Sequence, residues 1–460
     1  MQNKAELTDP SALVKGDVEH VWHHLLQHSA LVAKEPVIMV EGDGLRLRDI
    51  HGREYLDATS GGVWCVNVGY GRKRIAEAVC AQMIKMPYYA ATAGNIPYIE
   101  FASKLTSLMP GINRVYLSNS GSEANEKAYK MVRAIGHMKH DGHKKTVLYR
   151  HRDYHGTTIG ALSSTGQQER REWFGPFAPG FAEFPHACCY RCAFGKTYPG
   201  CDIDCAKALE TVIQQEGPEE VGAVIVEPIT AGGGVIPPVA EYYDVLQEIC
   251  RRHGVLLIMD EVVCGMGRTG KWFGYQHYNA KPDIVTMAKG VASAYMPISV
   301  TATTENVFAQ FLHDTSDAMA YFRDISTFGG CAAACTAAIE NTAIIEEENL
   351  LENCRVMGER LLDGLKGMTG LPHVGDVRGK GLLCGIELVE DKKTRQPVHE
   401  TYAMRAVGEI AAQGVLVGRT NRSLPGHNNI INLAPALCVS KDEIDTILKA
   451  VENALVKAAQ

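Results

Sequence analysis

Apolar residues recur along this chain in two rhythms, and the mixture changes near residue 330. Between residue 114 and about residue 300, short apolar runs alternate with stretches whose apolar positions fall three or four apart. The runs are Val115-Tyr-Leu117, Thr146-Val-Leu-Tyr149, Val221-Gly-Ala-Val-Ile-Val226, Val255 to Met259 and Ile284 to Met287. They predict buried strands. In EYYDVLQEICRRHG the residues Tyr243, Leu246, Ile249 and Cys250 mark one face of a helix. Strands that alternate with helices predict an α/β fold, with a largely parallel sheet covered on both faces.

Beyond residue 330 an Ala/Cys-rich stretch leads into a single long helical pattern from Ala332 to Met368. A short run, Gly381-Leu-Leu-Cys-Gly-Ile-Glu387, and a final helix from Lys441 follow, which reads as a smaller α+β domain. Residues 1–60, with a hairpin-like stretch from Gly44 to Gly52, predict no sheet of their own and are expected to complete that small domain. The division is then 1–60, 61–330 for the large domain, and 331–460. No repeat or low-complexity linker interrupts it.

Composition narrows the classes. The 460 residues suffice for two domains, and a net charge of −7 without a basic block argues against nucleic acid as a partner. No apolar run approaches the roughly 18 residues of a membrane span. The polar start, MQNKAELTDPSALVKGD, lacks the apolar core of an export signal, so the 14 cysteines predict a reducing cytoplasm. Cys189-x-x-Cys192 and Cys201-x-x-x-Cys205 carry the ligand count of a structural zinc site. Small reduced thiols in a loop, or a facultative disulfide, explain the same spacing, and no metal is assigned to them.

Open sheets bind ligands beyond the carboxyl ends of their strands. Collected there are Ser118-Asn-Ser-Gly-Ser-Glu-Ala-Asn125, Asp153-Tyr-His-Gly156, Glu227-Pro228, Asp260-Glu-Val262 and Ala288-Lys-Gly290. Ser120-x-x-Glu123 has the spacing of a capping box, and its helix carries Ala124, Ala128, Val132 and Ile135 on one face. Gly121 lets an anion approach the helix N-terminus, which suits a single phosphate; a plain helix cap would have the same spacing. Lys289, directly after an apolar run, is costly unless paired or covalently occupied, and such an amine forms Schiff bases. With Asp260 on the neighbouring strand end, these are the three groups that pyridoxal phosphate requires. Val262, on the same strand face as Asp260, is placed to pack on the ring, and Tyr154 or His155 to cover its other side.

The segment IMDEVVCGMGRTG also contains Gly265-Met-Gly267-Arg-Thr-Gly270, a match to G-x-G-x-x-G. The twelve residues between Gly270 and Asp283 hold Trp272, Gly274 and Pro282, leaving no helix for a dinucleotide fold.

Together SGSEAN, DYHG, EPI, MDEV…GMGRTG, AKG and TFGG resemble the class III pyridoxal-phosphate aminotransferases of fold type I over nearly the whole chain. The resemblance makes Lys289 the Schiff-base lysine and Asp260 the partner of the ring nitrogen. It makes Gly121 and Ser122 phosphate donors, Tyr154 and Val262 the ring covers, and Glu227 an acid that orders the site. Thr327 in TFGG matches a threonine that reaches the phosphate of a neighbouring subunit, which implies a homodimer or a dimer of dimers. Within the family the chain is most similar to members that move the amine of taurine to pyruvate. Trp64 then matches a pocket aromatic, and Arg419 the arginine that binds the acid group of the keto acid. Arg422 and His427, in the same GRTNRSLPGHNN stretch, are further candidates for the sulfonate. Donors such as β-alanine, 4-aminobutyrate or simple amines remain open, and a non-catalytic sensor would need an appendage that is not visible.

Overall fold

The computed structural model describes residues 9–32 and 35–459, so the first eight residues of the polar N-terminal stretch lie outside it. Three sheets organise the chain. The first joins β1 (Met39–Asp43), β2 (Arg46–Asp49) and β3 (Glu54–Asp57) to β14 (Val415–Leu416). The N-terminal segment therefore does build a sheet, contrary to the sequence reading. Its closing strand comes from far along the chain, pairing Val415 with Leu56, and local periodicity carries no trace of such a partner.

The central sheet runs β4 (Arg114–Ser118), β10 (Ser299–Thr303), β9 (Ile284–Met287), β8 (Leu256–Asp260), β7 (Val221–Val226), β5 (Thr146–Arg150) and β6 (Phe181–Phe184). Only β10 is antiparallel to its neighbours, with Ser299 opposite Ser118 and Val300 opposite Met287. β4 consequently points the same way as the others, and its end joins theirs at one edge. The strands are buried on both faces because alternate residues feed two cores. Val147, Tyr149, Ala223, Ile225 and Ile258 meet Ala128, Val132 and Ile135 of the helix Gly121–Lys139. Leu148, Val224, Val226, Leu257 and Met259 meet Leu209, Ile213, Leu246 and Ile249 on the opposite face. Period-2 alternation with apolar residues in both phases explains why the sequence shows continuous apolar runs. The edge strand β6 and the antiparallel β10 were not foreseen.

The third sheet orders β11 (Val374–Gly379), β12 (Cys384–Asp391), β16 (Ile430–Leu433) and β15 (Gly418–Arg419), and β13 (Gln396–Pro397) pairs beside β12. The long helical pattern from Ala332 to Met368 is in fact two helices, Ala332–Glu347 and Leu350–Gly367. Asn349, at φ 52°, turns the chain between them. The first helix packs on Lys73–Lys85 and Ile96–Ser107, the second on Lys441–Ala458, and one straight rod cannot serve both layers. Among the described residues, no helix is long and apolar enough to cross a membrane.

Candidate active site

The five strand ends named from the sequence converge at one edge of the central sheet. Asp260 closes β8 and is buried. Its Oδ2 accepts from His155 Nδ1 at 2.8 Å and from Asn125 Nδ2 at 2.9 Å, and its Oδ1 from the Val262 N–H at 3.0 Å. His155 thus grips this carboxylate, and Tyr154 stands beside it in the DYHG turn. Val262 lies past the end of β8 rather than on its face, and its methyls face Gly121. A Cβ on Gly121 would stand 3.1 Å from Val262, so a larger residue would push into the space before the helix.

That helix opens as its sequence predicts, with Ser120 accepting from the Glu123 N–H at 3.2 Å. The capping box is only half closed. Glu123 reaches the Asn119 N–H at 3.0 Å and takes a bond from the Ser326 hydroxyl at 3.1 Å, which docks the TFGG segment beside the helix N-terminus. The N–H groups of Gly121 and Ser122 form no hydrogen bond among the described residues and remain for an anion.

Lys289 follows β9 on left-handed backbone at φ 42°. Its half-buried side chain forms no ion pair or hydrogen bond among the described residues, and Nζ lies 5.6 Å from the centre of the Trp64 ring. Trp64 (φ 64°) is also left-handed and packs on Ile229, Ala231, Val235 and Val263, its Nε1 buried without a partner. Such backbone costs of order 1–3 kcal/mol per residue, and it accumulates where side chains must be aimed.

Glu227 is buried at the end of β7, accepting from the Tyr154 N–H at 2.9 Å and the Ala231 N–H at 3.0 Å. Burial, with Asp153 and Asp260 nearby, pushes its carboxyl well above the usual range. Beneath it Arg150 bonds the Glu227 carbonyl at 2.6 Å and pairs with Asp153 at 3.1 Å, fixing the DYHG turn. Glu261 serves the fold instead, accepting from the Gly274 and Tyr275 N–H groups at 2.8 and 2.7 Å, and burial pushes its carboxyl up to about 8. GMGRTG is no dinucleotide turn. Only a short helical turn, Gly274–His277, precedes β9, and the buried Arg268 bonds Ser60 and Asn67 at 2.9 Å and the Leu382 carbonyl at 3.2 Å. That guanidinium ties both chain ends to the large sheet.

Arg419 lies in a short strand rather than a loop, pairing with Ile431. Its Nη1 sits 2.9 Å from Glu400, a carboxylate that Arg422 also holds. Sequence reading missed Arg170, whose guanidinium lies 5.8 Å from the Tyr154 ring centre with Nε buried and unbonded. It also missed Asn125, one helical turn after Gly121 within SGSEAN, where spacing was the available signal. Thr327 is exposed and forms no hydrogen bond among the described residues. Cys189, Cys192, Cys201 and Cys205 are free thiols, and no described group of three or more His, Cys, Asp or Glu is placed to hold one metal ion.

A mostly parallel sheet whose mouth gathers an unpaired lysine, a gripped carboxylate and an open helix N-terminus defines an α/β transferase of fold type I. The chain belongs to the class III aminotransferases: residues 29–455 match that family. It is 57% identical over 453 residues to a taurine–pyruvate aminotransferase of Bilophila wadsworthia, covering 98% of each chain. It is 54% identical over 450 residues to a hypotaurine/taurine–pyruvate aminotransferase of Paracoccus denitrificans, again covering 98% of each. A crystal structure of a Bacillus anthracis aminotransferase superposes with a TM-score of 0.93 at 40% identity, covering 97% of this chain and 98% of that one. The protein is a transaminase, and its class implies pyridoxal phosphate. The residues present fit that group: N–H groups of Gly121 and Ser122 without a partner among the described residues, a carboxyl group held in place at Asp260, and an amine at Lys289 without a partner among the described residues.

Proposed function

We propose that the enzyme moves the amino group of taurine to pyruvate, forming sulfoacetaldehyde and L-alanine in a ping-pong sequence. The observation that carries the reading is an amine at Lys289 without a partner among the described residues, beside Trp64 and with the gripped Asp260 on the neighbouring strand end, in a chain 54–57% identical to relatives named for this reaction. Bound pyridoxal phosphate supplies an electron sink for the pair left when a proton leaves the amine-bearing carbon. Asp260, held by His155 and Asn125, would present its carboxyl group to the ring nitrogen. The N–H groups of Gly121 and Ser122 would hold the phosphate, and Tyr154 and Val262 would bracket the ring. Lys289 would hold the cofactor and, once released from it, its Nζ would take the proton from the amine-bearing carbon of taurine and later return one to the keto carbon of pyruvate. Trp64 bounds the substrate space and excludes water above Nζ.

Both substrates carry a permanent anion at neutral pH, and an arginine fork bonds sulfonate and carboxylate alike. Arg419 is the anchor for the acid group of pyruvate. Arg170, free of carboxylate partners among the described residues, supports a sulfonate contact beside Tyr154. Thr327 reaches a second copy of this chain across a face that also exposes Tyr321, Ile325 and Phe328, an apolar surface that a homodimer would cover. The relative from Paracoccus favours hypotaurine as a second donor, since a sulfinate meets the same fork. A donor screen with pyruvate as acceptor, read as alanine formed, tests the reading. Turnover of β-alanine, 4-aminobutyrate or a simple amine with taurine and hypotaurine both ignored would overturn the substrate and leave the family intact.

A further inference from the structure

Arg152 precedes the DYHG turn, is 3% exposed and stands at φ 74°. Its Nε and Nη1 are buried with no hydrogen-bond partner, and its guanidinium forms no ion pair among the described residues. An uncompensated buried charge costs several kcal/mol, so something must offset it. The neighbouring charges do so only in part. Arg191 and Arg378 share Glu387, and Arg378 also holds Asp376 at 2.7 Å, so three guanidiniums meet two carboxylates. Burial works hardest against the charged form of Arg152; Cys188 and Glu387 favour it, and the nearby Arg378 and Arg191 oppose it.

Arg152 opens onto a cleft of about 620 Å³ between the cysteine-rich segment, Thr394–Arg395 and Leu424–His427. Lys196, which is paired with Asp204, and Arg395 are exposed at its rim, Arg191 lines its wall, and no lining residue is itself acidic. The lining imidazoles His186 and His427 are held toward the neutral form by burial, which leaves them as hydrogen-bonding groups. The reaction as proposed above uses none of these side chains; His427, a sulfonate candidate from its place in the sequence, lines this cleft with its Nδ1 on the Pro425 carbonyl at 3.0 Å. We propose that this cleft is a second anion site, taking a phosphate or sulfate group bonded by Arg152 at its floor and by Arg395 and Lys196 at its rim. At roughly 30 Å³ per water, the space exceeds a bare oxyanion several-fold, so the group can carry a small organic body.

The test uses the holoenzyme, whose own phosphate cup is filled by the cofactor. Sodium sulfate, sodium phosphate and glycerol phosphate are each titrated against sodium chloride at matched ionic strength, with calorimetry and thermal unfolding as readouts. A saturable rise in Tm of about 3 °C is expected once the anion reaches ~100 times its Kd. Arg152→Met should abolish it. The double variant Arg395→Ala/Lys196→Ala should weaken it at least ~10-fold while transamination is retained, because its residues lie on the exposed rim. Arg419→Ala, which alters the substrate anchor, should leave it intact. Tighter binding of glycerol phosphate than of inorganic phosphate would assign the site to an organic ligand, and the reverse to the free ion. A rise that is equal in every variant, or that follows ionic strength alone, means an adventitious ion only and overturns the proposal. Should Arg152→Met fail to fold, the rim variant decides by itself.

Discussion

With Arg419 as the proposed anchor, Glu400 would compete with substrate for it, and removing that competition gives the sharpest test of the proposal. The Arg419 Nη1 to Glu400 Oε1 distance is 2.9 Å, with the two side chains 16% and 24% exposed. Two unit charges about 4 Å apart at an effective dielectric near 20 attract by roughly 4 kcal/mol. Solvent screening and the sharing of Glu400 with Arg422 cut the net value to about 1 kcal/mol. Burial pushes the Glu400 carboxyl up, but the bonds from Arg422 and Arg419 outweigh it and hold it below its usual range, so the competitor stays charged at any working pH. Glu400→Gln should therefore lower the KM for pyruvate by about 5-fold with kcat little changed. The same change removes an acid from the first turn of its helix, Glu400–Ala412, at a cost in stability of about 0.3–1 kcal/mol. Arg419→Ala should slow the pyruvate half-reaction by roughly 10²-fold or more, since losing a charged hydrogen-bond partner costs about 2–5 kcal/mol. It strands no carboxylate, because Arg422 keeps Glu400, so Tm should move little. In the Arg419→Ala background Glu400→Gln should bring no gain. Single-turnover mixing of each variant's amine form with pyruvate measures all of this, with a neutral amine against the aldehyde form as control. An intact pyruvate half-reaction in Arg419→Ala refutes the anchor, and an unchanged KM in Glu400→Gln refutes the competition.

Lys289→Ala should abolish transamination by far more than tenfold, and borohydride treatment of the wild type should fix the cofactor's mass to Lys289, as peptide mass spectrometry would show. Asp260→Asn should keep some cofactor but slow proton removal, and His155→Leu should do so more mildly, because one charge-assisted bond of about 1.5–3 kcal/mol is lost. Alanine at Cys189, Cys192, Cys201 and Cys205 should change stability before turnover; a folded, cofactor-loaded variant without activity would contradict that. Burial, aided by nearby cations, lowers His186 to about 3 and His277 to about 4. Unfolding frees each to bind a proton near pH 6.5, so stability should fall as pH drops from about 6.5 toward 4, by up to about 1.4 kcal/mol per pH unit and group. Urea unfolding at pH 7 and pH 5 measures the slope, which should flatten in His277→Leu.

The sequence by itself determined the five strands that end at the site, because each is short, apolar in both phases and closed by a polar cluster. It determined Lys289, Asp260 and the Ser120 cap as well, since these follow directly from where a strand stops or a helix starts. Only the tertiary structure decided which side chains hold those groups. His155 and Asn125 are 105 and 135 residues from Asp260, and no local pattern says that they share its oxygens. The same holds for the strand Val415–Leu416, for Arg268 bridging to Ser60 and Leu382, and for Glu400 on Arg419. Periodicity reports which face of an element is buried, a property of a few neighbouring residues. Partnership of charges depends on how the sheets stack, and that is set by the sum of all the packing contacts in the chain.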